Sequence, residues 1–282
     1  MTFAADDPRI FVPDNRPVSE ALARITHLGI GAHQDDLEFH ALHGILECWE
    51  RADRSFGGIT CTDGGGSSRT GPYAEYTDDQ MRRVRTKEQT TAAVIGQYGA
   101  MVQLGHSSAV ARDPRNPALE NDLQALLFAM QPEVVYTHNP ADKHETHIGV
   151  FVKTLTAIRA LPAENRPRRL LGFEGWRALD WLVGSDKVQL DVTGRPNLAA
   201  SLAGVFDSQI AGGKRYDLAI AGRRSANATL DDPYGPDGAT GITCAMDMTP
   251  LILDETLDPL EFTLGYVRKL ETDIREKLGR YR

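Results

Sequence analysis

"ITHLGIGAHQDDLEFHALHGILECWERA" (residues 25–52) decides how this chain folds. It opens on a short apolar run and turns at a histidine followed by two adjacent aspartates. Leu42, Ile45, Leu46 and Trp49 then recur at helical spacing, so the stretch reads as strand, turn and helix. Neighbouring carboxylates repel each other and resist burial unless they are paired or coordinate a metal. Placing Asp35 and Asp36 at the end of a core strand therefore calls for a cation to use them.

Outward from this stretch the same pattern repeats. "FGGITCT" (56–62) reads as a second strand, and "TDDQMRRVRTKEQTTAAVIGQYG" (77–99) as a helix opened by the capping box Thr77-x-x-Gln80. "AMVQLG" (100–105) is a third strand and "PALENDLQALLFAM" (117–130) a helix with proline at its start. "EVVYTH" (133–138) is a fourth strand, "THIGVFVKTLTAIRAL" (146–161) a helix and "RRLLGFE" (168–174) a fifth strand. Such alternation with short connections predicts an α/β fold, a Rossmann-like doubly wound and mostly parallel sheet. After about residue 180 the pattern loosens. There "NLAASLAGVFDSQI" (197–210) and "DPLEFTLGYVRKLETDIREKL" (258–278) read as helices between Gly/Pro/Asp-rich loops. The expected organisation is a single domain over residues 1–282, with an irregular N-terminal arm (1–20) and a C-terminal elaboration (180–282).

Composition narrows the function classes. Of 282 residues, 41% are hydrophobic and 25% charged, which suits a soluble protein with a sizeable core. The net charge of −8 and the lack of a Lys/Arg block argue against nucleic-acid or anionic-membrane partners. No apolar run approaches the ~20 residues of a membrane span. The N-terminus has acids and prolines where a signal peptide needs basic and then apolar residues, so the expected location is cytoplasmic. Cys48, Cys61 and Cys244 are odd in number and widely spaced, fitting neither a disulfide framework nor a cysteine zinc site. Homo-oligomerisation is left open.

In doubly wound sheets ligands sit beyond the carboxyl ends of the strands, where the strand order reverses. With the five expected strands ordered 3-2-1-4-5, the first and fourth are neighbours at that point. One delivers "AHQDD" (32–36) and the other "THNPADKHETH" (137–147), so two His/Asp clusters meet in one crevice. His33 and Asp36 fit a strand-to-helix turn, and His144 and His147 are three apart on one helix face. Two histidines, one carboxylate and an open position make a catalytic zinc arrangement, and a spare aspartate can act as base. His27, His40, His43 and His138 read as packing residues or as support for the site.

"AHQDDLE" followed by "DKHETH" resembles the LmbE-like, or PIG-L, deacetylase family over residues 25 to about 155, with weaker echoes in "VRTKEQTTAAVIGQYG" and "FDSQIAGGKRYDLAIAGR". The resemblance implies a Rossmann-like fold and one zinc ion per chain. It also implies hydrolysis of the acetyl group from an N-acetylglucosamine-type conjugate, a small-molecule amino-sugar substrate. It assigns His33, Asp36 and His147 as zinc ligands, Asp35 as general base, and His144 to the oxyanion or the leaving amine. Two positions depart from the family pattern. Gln34 stands where proline is usual, and Thr146 stands where an aspartate often orients the preceding histidine, leaving Asp142 or Glu145 to substitute.

Further substrate contacts are expected from Arg69 in "TDGGGSSRTGPY" (62–73), a loop that otherwise reads as flexible surface. Trp176 and Arg177 in "FEGWRALDW" (173–181) suit a sugar face and an anionic substituent, with core packing of the tryptophans as the other reading. Arg82 and Arg85 read as surface ion pairs. Two other enzyme or ligand classes share some features. A non-haem Fe(II) enzyme also uses two histidines and a carboxylate. A dinucleotide-binding protein would explain "GIGAHQ", but Gln34 and the acids occupy the place of the pyrophosphate. A catalytically silent sugar-binding protein would leave the second aspartate without a task.

Overall fold

The computed structural model describes residues 1–282. Eight strands form one sheet: β1 (Arg9–Phe11), β2 (His27–Gly31), β3 (Phe56–Thr62), β4 (Ala100–His106), β5 (Val134–His138), β6 (Arg169–Phe173), β7 (Lys187–Asp191) and β8 (Ile242–Asp247). Their order is β1-β4-β3-β2-β5-β6-β8-β7. The middle five, β4-β3-β2-β5-β6, are parallel and stand in the order expected from the sequence.

β2 and β3 are buried at every position, as befits central strands covered on both faces. Leu28 and Ile30 of β2 join one core layer with Ile59, Val102, Leu123 and Val150. The opposite face of β2 carries glycines, because the following helix lies directly on it. A Cβ at Gly29 would come within 2.9 Å of Leu37 and Phe56, and one at Gly31 within 2.8 Å of the Asp36 Cβ. Gly31 thus lets Asp36 press against the end of its own strand.

Three features differ from the reading of the sequence. The N-terminal arm is not wholly irregular: β1 pairs antiparallel with β4, and Val18–Ala23 is helical. The helix expected after β2 breaks at Ala41 into Asp36–His40 and Leu42–Cys48. In the C-terminal third, helices Pro196–Gly204, Asp207–Ile210 and Pro259–Gly279 fall where expected. The helix Tyr216–Leu230 and the antiparallel strands β7 and β8 there do not. β7 has only five residues, of which Leu190 alone is buried, too short and weak a pattern to stand out between loops.

Candidate active site

The carboxyl ends of β2 and β5 lie side by side, with Leu28 opposite Val135 and Gly29 opposite Tyr136. The chain runs outward through β3 and β4 on one side of β2, then crosses to β5 on the other. That reversal is where a crevice opens. Its floor is tied down by Thr62, whose backbone N–H and hydroxyl both donate to the Ala32 carbonyl at 2.8 and 2.7 Å.

His33, Asp36 and His147 converge there, their ligand atoms all within 4.8 Å of one another. His33 Nδ1 is 3.2 Å from His147 Nε2 and 3.6 Å from Asp36 Oδ2, and His147 Nε2 is 3.6 Å from Asp36 Oδ1. The His33 backbone N–H donates to Asp36 Oδ2 at 2.7 Å and fixes the carboxylate. Asp142 Oδ2 lies 3.3 Å from His147 Nδ1, which keeps the proton on that nitrogen and leaves Nε2 a bare lone pair aimed at the cluster. Two imidazole nitrogens and a carboxylate gathered this closely fit the donor set of a divalent cation.

His138, Asp142 and His147 form a second acidic and imidazole group of similar size. It is the poorer site, because its donor atoms are spent. His138 Nε2 accepts the Ala32 N–H at 2.9 Å. The Asp142 carboxylate accepts backbone N–H groups from Lys143, His144 and Trp176 at 2.5, 3.2 and 3.1 Å. These residues brace the first group. Burial drives the His138 imidazole down to about 4, so it is neutral there.

The two adjacent aspartates have opposite environments. Burial would raise Asp36, but His147 and His138 beside it outweigh that and hold it well below the usual carboxylate range. Burial raises Asp35 to about 6, and the nearby charge of Asp36 adds to this, while Arg85 pulls the other way. Groups pushed apart in this manner divide acid–base roles between them. Asp35 also has φ +96°, a conformation that costs a non-glycine residue on the order of 1–3 kcal/mol and that the surroundings must enforce. They do so from the helix Asp78–Ile95. Gln89 Oε1 accepts the Asp35 N–H at 3.1 Å, and the Arg85 guanidinium reaches Asp35 Oδ2 at 3.0 Å and the Gln34 carbonyl. Gln89 is itself anchored at 2.8 Å by Glu38, a buried acid that also accepts the Tyr98 hydroxyl at 2.6 Å.

Arg85 is thus a buried residue of the crevice, whereas sequence reasoning placed it in a surface ion pair. The reading holds for Arg82, which pairs with Asp63 and Asp79. The missed signal is that Arg85, Glu88 and Gln89 share one helix face and all three are buried, so that face is polar where a core face would be apolar. From the C-terminal third, Ser208 donates its N–H and hydroxyl to Glu88, both at 2.7 Å, and Glu88 lies 3.6 Å from Arg85.

His144 caps the helix Glu145–Arg159, its Nδ1 accepting the Thr146 N–H at 3.2 Å. That bond leaves its proton on Nε2. Burial, with His147 and His33 alongside, lowers it to about 4, so it is neutral. The absence of an aspartate at position 146 is met by the backbone. Asp142 orients His147 rather than His144, and Glu145 turns outward to Arg112 at 3.6 Å. Gln34, in the place of the usual proline, donates to the Thr62 carbonyl at 3.1 Å and ties the turn to β3.

The crevice has a volume of about 650 Å³. Its walls include Ser67 of the glycine-rich loop, Trp176, and from the C-terminal third Lys214, Tyr216 and Arg223. The Lys214 ammonium stands 5.1 Å over the Trp176 ring. Arg69 and Arg177 do not line it. Arg69 folds back onto the carbonyls of Gly65 and Tyr76 and onto Asp78, bracing its own loop, and Arg177 donates to the Ala141 carbonyl.

A doubly wound α/β domain with a His–His–Asp group that could hold a metal ion and a separate buried carboxylate at its switch point is a candidate hydrolytic centre. Residues 28–158 match the family described as PIG-L: GlcNAc-PI de-N-acetylase. No curated protein matches it in sequence. Among solved structures, a conserved protein of Thermus thermophilus is similar at 17% identity and TM-score 0.61, over 83% of this chain and 99% of that one. The 4-carboxy-2-hydroxymuconate hydratase of Pseudomonas putida is similar at 17% identity and TM-score 0.59, over 79% and 96%. The N,N'-diacetylchitobiose deacetylase of Pyrococcus horikoshii is similar at 15% identity and TM-score 0.60, over 81% and 85%. At such identities the likeness establishes the LmbE-like fold. No helix is long and apolar enough to cross a membrane.

Proposed function

We propose that this chain is a zinc-dependent hydrolase that removes an acyl group, the acetyl group above all, from an N-acetylglucosamine-type conjugate. The observation that carries the reading is the division of labour between Asp36, drawn into the donor set, and Asp35, held beside it with a raised pKa. The family match and the deacetylase among the similar folds support it. A divalent cation held by His33, Asp36 and His147 would polarise the acyl carbonyl and bring the pKa of a bound water to roughly 7. Asp35, fixed by Arg85 and Gln89, accepts the proton of the attacking water. His144, neutral with its proton on Nε2, donates a hydrogen bond to the developing oxyanion, and the proton taken up by Asp35 passes to the departing amine. Trp176 offers a ring for a sugar face.

A second reading draws on the cationic wall. Lys214 and Arg223 suit a carboxylated substrate, and the same water-activating centre would serve addition of water to a double bond, the chemistry named for one of the similar folds. Acetate release from N-acetylglucosamine conjugates, measured on the zinc-loaded and the chelated protein, tests the first reading. Zinc-dependent hydration of a carboxylated diene without any acetate release would replace it with the second. Activity that instead follows Fe(II) and consumes oxygen would overturn both.

A further inference from the structure

The helix Pro259–Gly279 packs on the body through one face, with Thr263 buried and Phe262 and Tyr266 partly buried against the core. A different face is apolar and open. Leu260, Leu264, Val267, Ile274 and Leu278, with Tyr281 just past the helix end, are between 37% and 89% exposed. Their spacing is four, three, seven, four and three residues, the a/d heptad seam of a coiled coil, with Glu271 at the one remaining seam position. Single exposed leucines need no explanation, but a contiguous stripe in coiled-coil register does.

We propose that this face pairs antiparallel with the same face of a second copy of the chain, about a two-fold axis near residue 269. In that register Leu260 meets the partner's Leu278, Leu264 meets the partner's Ile274, and Val267 meets the partner's Glu271, so each seam layer joins an a position to a d position. The charges select this direction. Parallel pairing would set Glu271 against the partner's Glu271 in one layer, two carboxylates facing each other at a closed seam. Antiparallel pairing separates them and brings Glu261, beside the seam, next to the partner's Arg275. The contact is isologous, so it closes at two copies. The crevice lies elsewhere and contributes none of these residues.

Light scattering or sedimentation equilibrium on the full chain at micromolar concentration should return the mass of two chains. Leu264→Glu with Ile274→Glu should return one chain while zinc content and thermal unfolding stay as in the wild type. Direction is read by disulfide trapping, which the native cysteines do not disturb because all three are buried. A mixture of Leu260→Cys and Leu278→Cys chains should crosslink, and neither variant alone, because residue 260 stands roughly 27 Å along the axis from its own symmetry mate at 1.5 Å per residue. A wild-type chain that stays monomeric, or a dimer untouched by the double glutamate variant, overturns the proposal. Self-crosslinking of either single cysteine variant overturns the antiparallel arrangement.

Discussion

The first 160 residues and the last hundred contribute to the crevice in different ways. The three proposed cation donors, Asp35 and His144 come from the ends of β2 and β5 and the turns and first helical residues that follow them. The C-terminal third supplies Lys214, Tyr216 and Arg223 on the wall, and through Ser208 a support for Glu88 and Arg85. On the proposed reading, the reacting groups sit on the rigid parallel core, where backbone pairing dictates their positions. On that reading, the groups that would choose a substrate sit on peripheral helices, which tolerate change.

The sharpest way to break this division is within the first region. Asp36→Asn should empty the zinc site and abolish turnover, whereas Asp35→Asn should keep its zinc and lose ~10²–10⁴-fold in rate. Metal content and acetate release measured together separate the two, and loss of zinc in the Asp35 variant would contradict this assignment of roles. The pH profile adds a sign. Asp35 works as a carboxylate, so kcat/KM should fall as pH drops through its pKa, which burial sets at about 6 and a bound cation pulls lower. The acidic limb should therefore lie below about pH 6 and disappear in Asp35→Asn.

One shell out, Asp142→Asn removes the carboxylate that holds His147 and should weaken zinc affinity about 10–100-fold, read by chelator competition. Unchanged affinity would mean that the helix alone orients His147. The link between the regions is tested by Ser208→Ala. Losing one hydrogen bond to a buried carboxylate should cost about 1–2 kcal/mol in denaturant unfolding. Activity should fall less than in any variant above, and a loss as large as that of Asp35→Asn would move Ser208 into the chemistry. The smallest effect is expected on the wall. Lys214→Ala should raise KM a few-fold for a substrate bearing an anionic group and leave kcat unchanged, while Arg69→Ala, whose side chain faces its own loop, should leave KM unchanged.

Much of this was legible from local pattern. Residues 25–52 alone announce a strand, a charged turn and a helix, and the regular alternation after them predicts a parallel sheet, in which the order supposed for it makes β2 and β5 neighbours. Topology then determines that His33, Asp36, His144 and His147 share one edge, because a right-handed crossover leaves few other placements. Tertiary structure decided what depends on partners distant in sequence. Arg85 looks like any helix-surface arginine until the chain closes and buries it against Asp35. Arg69 looks like a ligand-reaching residue until its own loop takes up its guanidinium. Which of the adjacent aspartates has its pKa lowered and which has it raised is likewise set by burial and neighbouring charge. Both are properties of the assembled crevice, and no residue spacing encodes them.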